Sequence, residues 1–78
     1  MAGQMDERDE LALKLRQVLV DARTAAGLTQ AELAQKLGRT QTFVSNYERG
    51  ERKVGVVELV LIGRALGADA QELLSQLR

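Results

Sequence analysis

Apolar positions along this chain recur at the spacing of helices, not of strands. Leu11, Leu15, Val18, Leu19, Ala22, Ala25 and Ala26 follow one another every three or four residues, as one face of a helix does. Acidic residues cluster ahead of this run, where they complement the helix dipole, and Gly27 offers a left-handed cap at its end. Next, Thr29 and Glu32 take the cap and third-residue positions of a capping box, and Leu28 and Leu33 flank them as a hydrophobic staple. Both devices predict a second helix from Gln30 to about Leu37, stopped by Gly38.

The stretch that follows, GRTQTFVSNYERG, is rich in Thr, Phe, Val, Ser, Asn and Tyr, all poorer helix formers than Ala, Leu, Lys or Glu. A wheel at 100° per residue nevertheless sorts it. Phe43, Tyr47 and Val44 fall at about 200°, 240° and 300°, while Gln41, Ser45, Arg49, Thr42 and Asn46 occupy roughly 0° to 140°. Read as a strand, the same residues segregate nothing. Thr40 therefore caps a third helix, Gln41 to Arg49, and Gly50 closes it. Beyond a connector from Glu51 to Gly55, Val56 to Leu66 reads as a fourth helix. Its apolar residues lie nearly all round, which predicts a central, enclosed element. Gly67 stops it, and Asp69 with Glu72 caps a short fifth helix carrying Leu73, Leu74 and Leu77. Core packing is the ordinary use of those three leucines; a dimer surface is the sharper one.

At 78 residues this is a single domain near the lower size limit for a self-sufficient core. With one Phe and one Tyr, the core must be built mainly from Leu, Val and Ala. Cys and His are both absent, which removes disulfides, the usual zinc sites, thiol nucleophiles and the commonest general base. No catalytic pairing stands out among the other residues, so the chain does not read as an enzyme, and no metal or other cofactor is expected. No segment is long and apolar enough to span a bilayer, and MAGQMDERDE lacks the order of a signal peptide, so a cytoplasmic protein is the default.

Formal charge sums to zero, but it is unevenly spread. Residues 1–10 carry a local −3, and residues 36–53, with Lys36, Arg39, Arg49, Arg52 and Lys53 against Glu48 and Glu51, a local +3. This suggests an acidic, flexible arm over residues 1–9 and one folded domain over residues 10–78. Such an arm would be repelled by a polyanion.

Two short helices joined by a three-residue turn form a helix-turn-helix, whose second helix is free to enter a major groove. Small residues suit the crossing: Ala34 lies on the inner face, Gly38 makes the turn and Val44 packs from the second helix. The run TQAELAQKLGRTQTFVSNYERGER resembles the phage-repressor and Cro-type helix-turn-helix family, also called the xenobiotic-response-element (XRE) family. It matches at Gln30, Ala34, Gly38, Gln41, Val44 and the Ser45…Glu48-Arg49-Gly50 ending, and the likeness covers roughly residues 10–75.

That resemblance implies an all-α, compact five-helix bundle of the lambda-repressor-like type. It implies sequence-specific binding of a double-stranded DNA operator by a small regulator, more in keeping with a repressor, acting as a homodimer through the last two helices. Gln41, Thr42 and Asn46 match positions that read base edges, and Gln and Asn carry the donor and acceptor that suit adenine. Phe43 matches a position that touches thymine methyls or the sugar-phosphate edge, but burial in the core is as good a use for it. Gln30, Ser45, Arg49, Arg52 and Lys53 match places along the phosphate backbone. Arg39 stands where relatives are often apolar, so it is either an added phosphate contact or merely solvated. Arg23 and Glu48 match a buried structural ion pair. The proline common before the fourth helix is replaced by Val54-Gly55, so that loop is expected to differ in shape. The rival reading is a protein-interaction or antitoxin-like adaptor that keeps the fold with weak DNA binding, and the neutral total charge is its best support.

Overall fold

The computed structural model describes residues 6–78. The order is α1 (Glu7–Ala25), α2 (Gln30–Leu37), α3 (Gln41–Arg49), α4 (Val56–Leu66) and α5 (Ala70–Ser75), with no strand among the described residues. Each start has a local cause. The Asp6 carboxylate accepts from the Asp9 N–H at 2.9 Å, which sets the first turn of α1 at Glu7. Glu7, Arg8 and Asp9 are thus helical, which shortens the acidic arm anticipated for residues 1–9 from its inner end; residues 1–5 lie outside the described residues. At α2 the box is complete, with the Glu32 N–H on Thr29 Oγ1 at 3.0 Å and the Thr29 N–H on Glu32 Oε1 at 2.9 Å. These bonds hold the Glu32 carboxyl below its usual range, the Thr29 backbone bond contributing most. Thr40 caps α3 by accepting from the Phe43 N–H at 3.2 Å, and Asp69 caps α5 by accepting from the Gln71 N–H at 2.8 Å.

α2 packs against α3 and α4, α1 against α3 and α5, and α4 against α5. The core between them comprises Leu19, Leu33, Ala34, Phe43, Val44, Tyr47, Leu59, Ile62 and Leu73. All three members of the apolar sector of α3 are in it, which explains how a helix of weak intrinsic propensity is held: tertiary burial supplies what the local sequence lacks. Gly63 lets α4 and α5 meet closely, because a Cβ there would come within 2.7 Å of the Ala68 carbonyl oxygen.

The fourth helix departs from expectation. Only Leu59, Ile62 and Gly63 of α4 are buried, whereas Val56 and Val57 are 81% and 71% exposed and Leu61 is exposed as well. α4 is covered by α2 and α5 on one side and open on the other, so it is not the enclosed element that its all-round apolarity predicted. Leu74 of α5 is exposed too, while Leu73 is in the core.

Candidate nucleic-acid interface

The turn between α2 and α3 is Gly38-Arg39-Thr40. Gly38 sits at φ +67°, and the Arg39 N–H returns to the Ala34 carbonyl at 2.9 Å, so the chain reverses within three residues. The reversal leaves α3 at the surface with Gln41 and Thr42 exposed in its first turn, Ser45 and Asn46 half-buried, and Arg49 exposed at its end. Ser45 Oγ donates to the Thr42 carbonyl at 3.2 Å, and Arg49 Nη2 donates to Asn46 Oδ1 at 2.8 Å. The Asn46 carbonyl keeps a second lone pair and its amide can still donate, which is the pattern an adenine edge complements.

Behind this face lies a part-buried polar node. Arg23 of α1 grips Glu48 of α3 in a two-pronged pair, Nε to Oε2 at 2.8 Å and Nη2 to Oε1 at 3.0 Å, with side chains 16% and 5% exposed. Its third nitrogen, Nη1, donates to the Leu28 carbonyl at 2.8 Å. Gln30 Nε2 also donates to Glu48 Oε1, at 2.9 Å. The guanidinium is held above its ordinary pKa, chiefly by the Glu48 hydrogen bond acting against burial. Through this one carboxylate, α1, α2 and α3 are locked in one relative orientation.

The side chain of Gln30, a residue matched to phosphate contact, is thus turned inward. What α2 leaves outward is the pair of N–H groups of Gln30 and Ala31 at its first turn, which have no acceptor within the helix and suit an anion.

Residues 19–73 match the helix-turn-helix family, well over half of the chain. An XRE-family like protein from Pseudomonas syringae pv. tomato str. DC3000 superposes with a TM-score of 0.86 at 44% identity, over 90% of this chain and 85% of that one. The chain belongs to the XRE-type helix-turn-helix family. The restriction-modification controller protein of Aeromonas hydrophila is also similar, with a TM-score of 0.74 at 37% identity, over 80% of this chain and 94% of that one. An uncharacterised HTH-type transcriptional regulator of Sinorhizobium fredii is 38% identical over 53 residues, 68% of this chain and 69% of its own length. This chain is accordingly a transcriptional regulator with the XRE-type DNA-binding fold, and the family's members are not enzymes.

Within the family frame, the remaining site residues are placed unevenly. Phe43 is only 6% exposed and meets Tyr47 edge to face, with ring centroids 5.4 Å apart. Two guanidinium carbons stand over its ring, Arg39 at 3.9 Å and Arg52 at 4.7 Å from the centroid. A ring so covered has little face left for a thymine methyl, so its work is to anchor α3 and to seat the two arginines. Arg52 in turn pairs with Glu58 through both oxygens, each at 2.8 Å, and Arg39 approaches Glu58 at 3.5 Å. Arg49 pairs with Glu51 at 2.9 Å. Three of the cations matched to phosphate contact therefore have carboxylate partners, Arg39 and Arg52 sharing Glu58, while Lys53 forms no ion pair among the described residues.

Two participants escaped sequence reasoning. Arg16 of α1 donates from Nε to the Glu48 carbonyl at 3.2 Å and lies against Gly50, where a Cβ would sit 2.6 Å from its Nη1. Glu58 of α4 is the other, the shared partner of Arg52 and Arg39. Neither carries a signal in the chain: Arg16 and Glu48 are 32 residues apart, and Arg52 meets Glu58 only because the connector folds back.

Proposed function

We propose that this regulator binds a specific double-stranded DNA operator with α3 in the major groove, Gln41, Thr42 and Asn46 reading base edges, and the flanking cations on phosphates. The exposed polar arc of α3, mounted on a core-buried apolar sector, carries this reading. Ser45 and Arg49 belong to the arc, Arg52 and Lys53 follow it in the chain, and the N–H groups at the start of α2 offer an anion site. Arg39, stacked on Phe43 at the turn, is the closest of the cations to the start of α3 in the chain. Repression is the simplest output, since occupying an operator needs no further surface. A DNA target places the protein in the cytoplasm.

One recognition helix offers few base contacts, each good bidentate pair being worth about 1–3 kcal/mol of discrimination. Two copies on half-sites one helical turn apart, ~34 Å, would double them. The open face of α4, with Val56, Val57 and Leu61, and Leu74 of α5 form the apolar surface suited to such a homodimer. Val57→Asp with Leu61→Asp is expected to give a monomer by sedimentation and to weaken operator binding.

The test is selection of a preferred site from random duplexes, followed by titration of the chosen site and a scrambled one. Gln41→Ala with Asn46→Ala is expected to abolish most of the difference between them, roughly thirtyfold or more for two lost pairs of at least about 1 kcal/mol each, while leaving random-DNA affinity in place. A preference that survives both changes removes these residues as readers. The pairing of Arg39, Arg49 and Arg52 with carboxylates favours a second reading, an adaptor that keeps the fold for protein partners. Under it, binding to any duplex is weak and shows little dependence on salt, whereas phosphate neutralisation predicts a steep fall with salt.

A further inference from the structure

Glu58 occupies the first turn of α4, and three groups converge on its carboxylate. Arg52 engages both oxygens at 2.8 Å, Arg39 reaches Oε2 at 3.5 Å, and the Gly55 N–H donates to Oε1 at 2.9 Å. Both guanidiniums also rest on the Phe43 ring, so their positions are fixed from two sides. A planar two-oxygen anion held by an arginine fork, beside a second arginine and a donating helix-end N–H, is the geometry in which a phosphate would be bound. Here a carboxylate of the protein itself fills it. The arginine bonds and the Gly55 bond hold the Glu58 carboxyl at about 2, so it remains charged at any working pH.

We propose that Glu58 is an intramolecular competitor for the DNA backbone: it takes the place of a phosphate at Arg52 and Arg39 and thereby sets how tightly the domain grips any duplex. This rests on the DNA-binding reading above and extends it to a residue outside the recognition helix. When a phosphate arrives, either Arg52 exchanges Glu58 for it, or the phosphate sits beside an unneutralised carboxylate. Both cost affinity, and both do so irrespective of sequence, because phosphates carry no base information. The consequence is a regulator whose backbone grip is damped while its base readers are untouched. It also gives the zero net charge a role at the interface: the anions that cancel the arginines stand against them in space.

Glu58→Gln tests this. Glutamine keeps an oxygen for the Gly55 N–H but loses the charge, so the cap survives and the competition does not. Affinity for the preferred site and for random duplex is expected to rise together, roughly tenfold near 0.1 M salt, and the log–log salt slope to steepen by about one, the effect of one more neutralised phosphate. In an Arg52→Gln background the same substitution should gain clearly less, about two- to threefold, because the cation that holds both Glu58 oxygens is gone and only the longer Arg39 contact is released.

Unchanged affinity and slope in Glu58→Gln overturn the proposal by placing the cluster away from DNA. Weaker binding overturns it too, by making Glu58 an orienting group for the arginines. An equal gain with and without Arg52 overturns the competition in favour of a diffuse charge effect. Random duplex serves as the probe throughout, so a wild-type protein without site preference sinks the base readers alone and leaves this comparison intact. Failure of the wild type to bind any duplex removes both.

Discussion

The molecule holds two arginine–carboxylate clusters, one beneath α3 and one at its flank, made of the same chemistry in different surroundings. In the inner one, Glu48 is sunk between three helices and takes bonds from Arg23 and Gln30 with both oxygens engaged. In the outer one, Glu58 is ringed by Arg52, Arg39 and the Gly55 N–H, but the arginine side chains are 39% and 43% exposed. Burial separates their roles. An enclosed pair cannot exchange partners without stranding a charge in the interior, so it serves as a fixed brace. A solvent-facing pair exchanges partners readily and contributes little to stability. The inner cluster therefore sets the orientation of α3, and the outer one is free to exchange partners at the surface.

The strongest challenge to this contrast is Glu48→Ala, which leaves Arg23 half-enclosed without its anion. A loss of about 3–5 kcal/mol is expected in denaturant unfolding, a large part of the total stability of so small a domain. Pairing it with Arg23→Met should recover most of that loss, since no charge is then stranded. A loss below about 1 kcal/mol for Glu48→Ala would make the inner pair no different in kind from the outer one.

Gly50→Ala probes the edge of the inner cluster. Gly50 lies at φ +81°, where alanine is strained by about 1 kcal/mol, and the new Cβ would displace the Arg16 guanidinium from its contact with the Glu48 carbonyl. A thermal midpoint lowered by an amount equal to about 1–2 kcal/mol is expected, with no change in base preference.

The smallest effect belongs to Glu58→Gln, whose cost to stability near neutral pH should stay below about 1 kcal/mol. Its signature lies in acid. The folded carboxyl, at about 2, lies below its ordinary 4.5, so its stabilising contribution is complete above 4.5 and is lost as pH falls from there toward 2. Stability measured across that window should fall less steeply in Glu58→Gln than in the wild type; parallel curves would mean that the outer pair contributes nothing to the fold.

Much of the architecture was legible in the chain because the signals are local. Capping by Thr29 with Glu32, by Thr40 and by Asp69 acts within three residues, and Gly38, Gly50 and Gly67 mark helix ends by a backbone geometry that few other residues accept. The wheel of α3 separated its apolar from its polar sector correctly, because a helix of fixed pitch distributes side chains by arithmetic. Phe43, at the border of the sectors, could not be resolved by angle. Its burial depends on Tyr47 beside it and on two arginines that arrive from the turn and from the connector.

The linear order of residues thus determined the bounds of α2, α3 and α4, which side of α3 must be buried, and that the chain is a helix-turn-helix. Tertiary structure alone decided which charges are spent inside the protein, how Arg16 braces Gly50, and that α4 keeps an uncovered apolar face. The reason is one of range. Caps, turns and helical periodicity are settled among neighbours a few residues apart, but charge cancellation and burial are settled by whatever the fold brings within a few ångströms, however distant in the chain.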